Sequence, residues 1–241
     1  MLQFLGTGGI GCKTRCNTSI LINNSILLDI GSGVVSQMKR LSIDISKINY
    51  LLISHYHTDH FSDISIFLSE RLYNYKKLEP LVIIGPKNIK QKIVDFINVM
   101  DDSSDEWNSD NIEKTYNIKF CGLEEETYLE KDIKIMAVKL KHGYTKENNG
   151  YILQFKNINI GYCPDTSLCA GLNEIVSHSD LVLIDCAYLE TTDWHLGLND
   201  VTALSIKNNE KNFYAIHRKD YNHNTKISNL FFPEDCELVK F

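Results

Sequence analysis

A chain of 241 residues, 43% hydrophobic and 23% charged, has the make-up of a globular domain over residues 1–241, which excludes collagen-like, coiled-coil and largely disordered readings. Lys and Arg number 25 against 31 Asp and Glu, a formal charge of −6, and this disfavours a generally basic nucleic-acid-binding surface. No apolar run approaches the roughly 18 residues of a membrane span and the first residues lack a signal-peptide pattern, so a soluble, cytoplasmic protein without a membrane partner is expected.

In chain order, short apolar runs separated by turn signals alternate with a few amphipathic stretches. Strands are predicted over 2–5, 18–22, 26–29, 50–53, 81–84, 133–139, 151–155, 158–162, 181–185 and 213–216, with Asn23-Asn24 and Lys156-Asn157 as hairpin turns. Helices are predicted over 34–41, 64–73, 89–100 and 201–207, the last introduced by Asn199 and Asp200 as candidate N-caps. This mixture implies sheets covered by helices. Two acidic stretches, 101–110 and 124–126, read as solvated surface. The seven Cys, an odd number with no CxxC pair, read as free thiols.

The chemistry concentrates where the strand over 50–53 runs into Ser54-His55-Tyr56-His57-Thr58-Asp59-His60. Imidazole and carboxylate are good donors for a borderline divalent ion. In an extended segment His55 and His57 project to one side and can grip an ion together. A turn directly afterwards can aim Asp59 and His60 at a second.

His-x-His-x-Asp-His after an apolar strand resembles the metallo-β-lactamase superfamily. Phe4-Leu5-Gly6-Thr7-Gly8, Arg15-Cys16-Asn17-Thr18-Ser19, Leu28-Asp29-Ile30-Gly31-Ser32-Gly33 and Ile84-Gly85-Pro86 extend the resemblance to its ribonuclease Z-like phosphodiesterase branch, over most of the chain. The resemblance implies an α/β architecture of four layers, αββα, with loops at one sheet edge carrying metals. It carries over His142 in Lys141-His142-Gly143, Asp165 in Cys163-Pro164-Asp165-Thr166, and His217 after Phe213-Tyr214-Ala215-Ile216. One divalent ion would then be held by His55, His57, His142 and Asp165, and a second by Asp59, His60, Asp165 and His217. Zinc is the first choice, with manganese or iron accepted by the same donors.

His195, 22 residues before His217, resembles the branch's additional His, which faces the scissile phosphate rather than a metal. A His packed beside Trp194 and bonded locally is the alternative. The branch orients its His with an acidic residue in a Glu-Ala-Thr context, whereas this chain reads Asp185-Cys186-Ala187-Tyr188. Either Asp185 serves from a shifted position or the partner is missing. His178 and His223 match nothing in the family pattern and read as surface residues.

The family's chemistry implies hydrolysis of a phosphodiester by metal-activated water. Asp59 or Asp165 would hold the nucleophile's proton, and His195 would donate to a phosphate oxygen or the leaving alkoxide. One departure bears on substrate: ribonuclease Z carries a basic arm that grips transfer RNA between the third His and the bridging Asp. Here the 23 residues from His142 to Asp165 include only Lys146 and Lys156, which disfavours long RNA. A small phosphodiester is preferred, with a cyclic nucleotide its sharpest form, because the plan resembles compact cyclic-nucleotide phosphodiesterases of the branch, phage anti-Pycsar enzymes among them. Tyr144, beside His142, and Trp194, beside His195, are placed where an aromatic can face a base; ordinary loop and core aromatics are the alternative. RNA 3′ processing, hydrolysis of a lactone or thioester, and metal-stabilised binding without turnover are the competing readings. The branch commonly dimerises, so a homodimer is expected.

Overall fold

Strands in which successive apolar residues point to opposite faces build two seven-stranded sheets here. The structure, a computed structural model, describes residues 1–74, 79–100, 111–123, 127–130, 133–221 and 226–241. The acidic stretches over 101–110 and 124–126, and His223, lie outside the described residues. In the first sheet β1 (Leu2–Gly6), β2 (Ser19–Ile22), β3 (Ile26–Leu28), β4 (Tyr50–Leu52), β5 (Leu81–Pro86) and β6 (Ile118–Leu123) lie side by side. The second sheet runs in reverse order of sequence, from β12 (Asn212–Ile216) through β11 (Leu181–Asp185), β10 (Asn159–Cys163), β9 (Asn149–Gln154) and β8 (Ile133–Lys139) to β7 (Thr127–Glu130). Short strands β13 (Leu230–Phe231) and β14 (Leu238–Val239) pair with β12 and β1 at the sheet edges. The helices are α1 (Val34–Arg40), α2 (Thr58–Phe61), α3 (Ile64–Asn74), α4 (Ile89–Met100), α5 (Ile112–Thr115), α6 (Ala170–Ser177) and α7 (Leu198–Lys207).

Three apolar clusters mark the three interfaces between layers. Ile20, Ile22, Leu28, Leu52 and Ile84 face Tyr151, Leu153, Ile160, Leu183 and Ile216 between the sheets. Their strand neighbours Leu21, Leu27, Leu51 and Ile83 point the other way, into a cluster shared with Val35 and Met38 of α1, Phe67 of α3 and Ile93 of α4. Across the molecule, Ile152, Val182, Ile184 and Ala215 pack against Leu172 and Ile175 of α6 and Val201 of α7. Each fully buried Leu or Ile contributes about 1.5–3 kcal/mol. The order helix, sheet, sheet, helix is the expected αββα sandwich.

Asn23 and Asn24 both adopt positive φ, 49° and 55°, the turn conformation that Asn tolerates best after Gly. The last predicted helix starts three residues earlier than the pattern suggested. Its N-cap is Gly197, and Asn199 and Asp200 lie inside the helix, where Asp200 complements the helix dipole in the first turn. All seven cysteines are free. No helix among the described residues is long and apolar enough to cross a membrane.

Candidate metal centre

Five strands deliver titratable side chains at or just beyond their C-terminal ends, where open α/β sheets collect ligands. Past β4 the chain stays extended through His55 and His57, then turns into α2, which holds Asp59 and His60. β8 leads to His142, β10 to Asp165 and β12 to His217, while β11 ends on Asp185. Donor atoms of His55, His57, His142 and Asp165 lie within 4.8 Å of one another, as do those of Asp59, His60, Asp165 and His217. These are the two sets expected from the sequence, and Asp165 belongs to both. A third group, Asp165, Asp185, His195 and His217, adjoins them.

Surrounding hydrogen bonds decide which ring nitrogens face inward. Ser54 Oγ donates to Asp29 Oδ2 at 2.7 Å and therefore accepts from His55 Nδ1 at 2.9 Å. His60 Nδ1 donates to Asp29 Oδ2 at 2.8 Å, and His142 Nδ1 donates to the Trp194 carbonyl at 2.7 Å. With each Nδ1–H engaged, the Nε2 of a neutral ring presents a lone pair to the centre. Those lone pairs converge on an anion: the Nε2 atoms of His60, His142 and His55 lie 3.0, 3.6 and 3.9 Å from Asp165 carboxylate oxygens. His55 Nε2, His60 Nε2 and Asp165 Oδ1 are buried without a hydrogen-bond partner. Lone pairs packed against a buried carboxylate need positive charge between them, and a divalent cation that favours imidazole and carboxylate ligands supplies it. The residues fit such an ion.

The same electrostatics set the behaviour of the metal-free chain. Burial pushes His55, His57 and His142 down. Burial also opposes charge on His60 and His217, but the Asp165 carboxylate outweighs it. Aided by Asp29, it lifts His60 well above the usual imidazole range; aided by Asp185 and Asp59, it lifts His217 to about 10. Burial alone would raise Asp165, yet His217 and His60 hold it well below the usual carboxylate range. A His raised above its unfolded value of about 6.5 stabilises the fold fully below that pH, and this contribution is lost as pH rises through the folded value. Chelator-treated protein should therefore lose melting temperature between about pH 7 and about pH 10, while metal-loaded protein, whose ligands are already deprotonated, changes little. Melting curves across that range test this, and a chelated protein that holds or gains stability would contradict it.

Asp29 is the hub behind the ligands, and sequence reading gave it no role beyond its place in the Leu28-Asp29 motif. Its carboxylate accepts from Ser54 N and Oγ, each at 2.7 Å, from His60 Nδ1, and from Tyr162 Oη at 2.5 Å. One buried carboxylate thus joins the first sheet, the α2 turn and the strand that carries Asp165. Next to it, Gly31 passes so close to α2 that a Cβ there would lie 1.8 Å from the Asp59 carbonyl oxygen. Gly31→Ala should displace the motif backbone, cost about 1–3 kcal/mol and lower metal content. Wild-type melting temperature and metal content in that variant would refute this.

Asp185, at the shifted position, is within hydrogen-bond reach of His195. Its Oδ2 lies 3.0 Å from His195 Nδ1 and also accepts from Thr166 N at 3.0 Å. Asp185 Oδ1 is 3.5 Å from His217 Nδ1 without the alignment of a hydrogen bond. The His195 ring stacks on His217 with centroids 5.0 Å apart, and its Nδ1 is 3.9 Å from Asp165 Oδ2. With Nδ1 committed to Asp185, Nε2 is the nitrogen left for a ligand. Trp194, 38% exposed, meets His142 edge-on at 5.2 Å and Tyr144 at 5.8 Å; Tyr144 is 91% exposed. Both aromatics stand at the rim of the centre rather than in a core. His178 is exposed at the C-cap of α6.

The αββα sandwich, with its His/Asp cluster where the strand ends of both sheets meet, defines a metallo-β-lactamase-fold, metal-dependent hydrolase. Residues 1–232 match the family described as Anti-Pycsar protein Apyc1, and the chain belongs to that family. It is similar to the Ribonuclease Z of Ligilactobacillus salivarius, 32% identical over 203 residues that cover 76% of this chain and 61% of that relative. The Ribonuclease Z of Staphylococcus saprophyticus is 25% identical across 99% of this chain and 92% of its own length. Among solved structures, the metallo-beta-lactamase fold protein YhfI from Bacillus subtilis superposes with a TM-score of 0.72 at 15% identity, covering 92% of this chain and 87% of that one.

Proposed function

We propose that this chain is a dinuclear metal-dependent phosphodiesterase that hydrolyses a small phosphodiester, a cyclic nucleotide foremost. The observation that carries this reading is His195 held by Asp185 beside the shared carboxylate Asp165. A diester with an alkoxide leaving group needs a proton donor next to its phosphate, and a ring anchored through Nδ1 offers Nε2 for that purpose. Family membership and the likeness to two ribonuclease Z sequences support phosphodiester chemistry. The interval from His142 to Asp165 supports a small substrate, since it is spent on a short loop, β9, a tight turn and β10. The apolar cluster between the sheets shares strands with each of the other two clusters, which favours residues 1–241 acting as one catalytic domain. A cytoplasmic homodimer is the form in which we expect it to work.

Two donor sets sharing Asp165 favour two ions, and their nitrogen and oxygen atoms suit zinc first, manganese or iron next. Bound there, divalent ions supply Lewis acidity and a water acidified towards neutral pH. Asp59 Oδ2 accepts from Ile10 N and lies 3.1 Å from His217 Nε2, which fixes a carboxylate able to hold the nucleophile's proton. Asp185 holds the His195 ring in one orientation through Nδ1–H, and in the doubly protonated ring Nε2–H would give its proton to a phosphate oxygen or the departing alkoxide. Tyr144 and Trp194 offer aromatic faces to a base at the rim.

The ribonuclease Z relatives favour a second reading, cleavage of precursor transfer RNA at its 3′ side. A product screen of metal-loaded protein against cyclic mononucleotides, cyclic dinucleotides and precursor transfer RNA separates the two. Linear monophosphates formed from cyclic mononucleotides support the first reading. Precursor cleavage with every cyclic nucleotide left intact selects the second.

A further inference from the structure

Beside the metal centre, on the α4 side, lies a groove of about 350 Å³. Tyr56 and Thr58, the residues either side of His57, both line it, so one stretch of backbone is a wall of the metal centre and of the groove. In this extended segment His57 faces the cluster and Tyr56 faces away. The Tyr56 ring meets Phe61 edge-on at 5.4 Å and lies under the Lys92 ammonium, 5.8 Å from its centroid. Its hydroxyl donates to Asn88 Oδ1 at 2.6 Å, which fixes the ring. Phe96 extends the aromatic wall, 5.5 Å from Phe61. Asp95, which also lines the groove, accepts from Gln91 Nε2 at 2.7 Å.

The half-buried rings of Tyr56 and Phe96 and the exposed Lys92 ammonium form a surface suited to a nucleoside: a base packs on the rings and Lys92 attracts phosphate. The centre already has one aromatic wall on the second-sheet side, at Tyr144 and Trp194. The groove supplies another on the first-sheet side. A cyclic mononucleotide has one base and can occupy only one wall. A linear dinucleotide has two bases with its phosphodiester between them.

We propose that the groove formed by Tyr56, Phe61, Phe96 and Lys92 is a second nucleoside subsite, and that the enzyme also accepts linear 3′,5′-linked dinucleotides whose scissile phosphate sits at the metal centre. The proposal rests on the phosphodiesterase reading above. Hydrolysis adds water across the diester: the phosphorus–oxygen bond to one nucleoside breaks, that nucleoside leaves with a hydroxyl proton, and the other keeps the monophosphate.

Metal-loaded wild type, Phe96→Ala and the exposed Lys92→Ala variant are compared on diuridine monophosphate and on cyclic 3′,5′-UMP. Phe96→Ala should raise KM for the dinucleotide about tenfold or more, Lys92→Ala about threefold or more, and neither should move cyclic 3′,5′-UMP kinetics beyond about twofold. Calorimetry with a phosphorothioate-linked diuridine on the same proteins should show the same loss of affinity. Equal effects on both substrates, or unchanged dinucleotide KM and affinity in Lys92→Ala, would overturn the subsite. If neither diester is hydrolysed while the two variants still lose dinucleotide affinity, the subsite stands and the phosphodiesterase reading fails.

Discussion

Asp165→Ala is expected to abolish turnover and to empty both donor sets. Asp165 is the one carboxylate common to the two groups, and its oxygens lie within 3.9 Å of His55, His60, His142, His195 and His217 nitrogens. In the proposed two-ion centre its removal would take a ligand from each ion at once, so bound metal should fall from about two equivalents per chain to less than about one. The fold suffers as well, because the charge that holds His60 and His217 protonated in the metal-free chain disappears. Breaking a buried ion pair of this kind costs about 3–5 kcal/mol. Asp165→Asn keeps the side-chain volume and removes only the charge, so it separates loss of metal from loss of packing. Metal analysis, melting and diester hydrolysis on both variants give the readouts. Retention of both ions and of substantial turnover in Asp165→Asn would refute the shared-ligand arrangement.

His195→Ala should have the opposite signature, with both ions retained and most turnover lost. His195 stands against the donor sets, but its Nδ1 is committed to Asp185, and His55, His57, Asp59, His60, His142, Asp165 and His217 complete the two sets without it. Loss of a positioned general acid typically costs about 10²–10⁴-fold in rate. The size of the loss should depend on the leaving group. A cyclic nucleotide must expel a sugar alkoxide and should show the full effect, whereas bis(p-nitrophenyl) phosphate expels an already stable phenolate and should show much less. Equal, small losses on both substrates would assign His195 a packing role beside Trp194 instead.

How far the sequence spoke for itself varied with the range of the interactions involved. The convergence of His55, His57, Asp59 and His60 was legible because they are close in sequence and their directions follow from a strand running into a turn. His142, Asp165 and His217 were legible only through resemblance, since their meeting depends on strand order across two sheets. Asp29 was visible as a residue but not as a hub: its partners Ser54, His60 and Tyr162 stand 25, 31 and 133 positions away. The shift from Glu-Ala-Thr to Asp185-Cys186-Ala187 left two outcomes open, and in the fold Asp185 lies 3.0 Å from His195 Nδ1.

The missed elements have equally physical reasons. Helix α6 is eight residues long, contains Gly171 and is capped by the Cys169 sulfur, so it lacks the usual start signal. Strand β6 is half exposed along its middle and includes Gly122, which blurs its apolar pattern. Strands β13 and β14 have two residues each and exist through their neighbours rather than through their own propensity.

The proposed pair of ions sharing Asp165 makes turnover of a small phosphodiester depend on metal stoichiometry. The most direct measurement is a metal titration of the stripped protein with cyclic 3′,5′-UMP as substrate, following linear UMP. Turnover should climb until about two equivalents of metal per chain are bound, and chelator should abolish it. Full turnover at one equivalent, or no linear UMP at any metal loading, would contradict the two-ion phosphodiesterase reading.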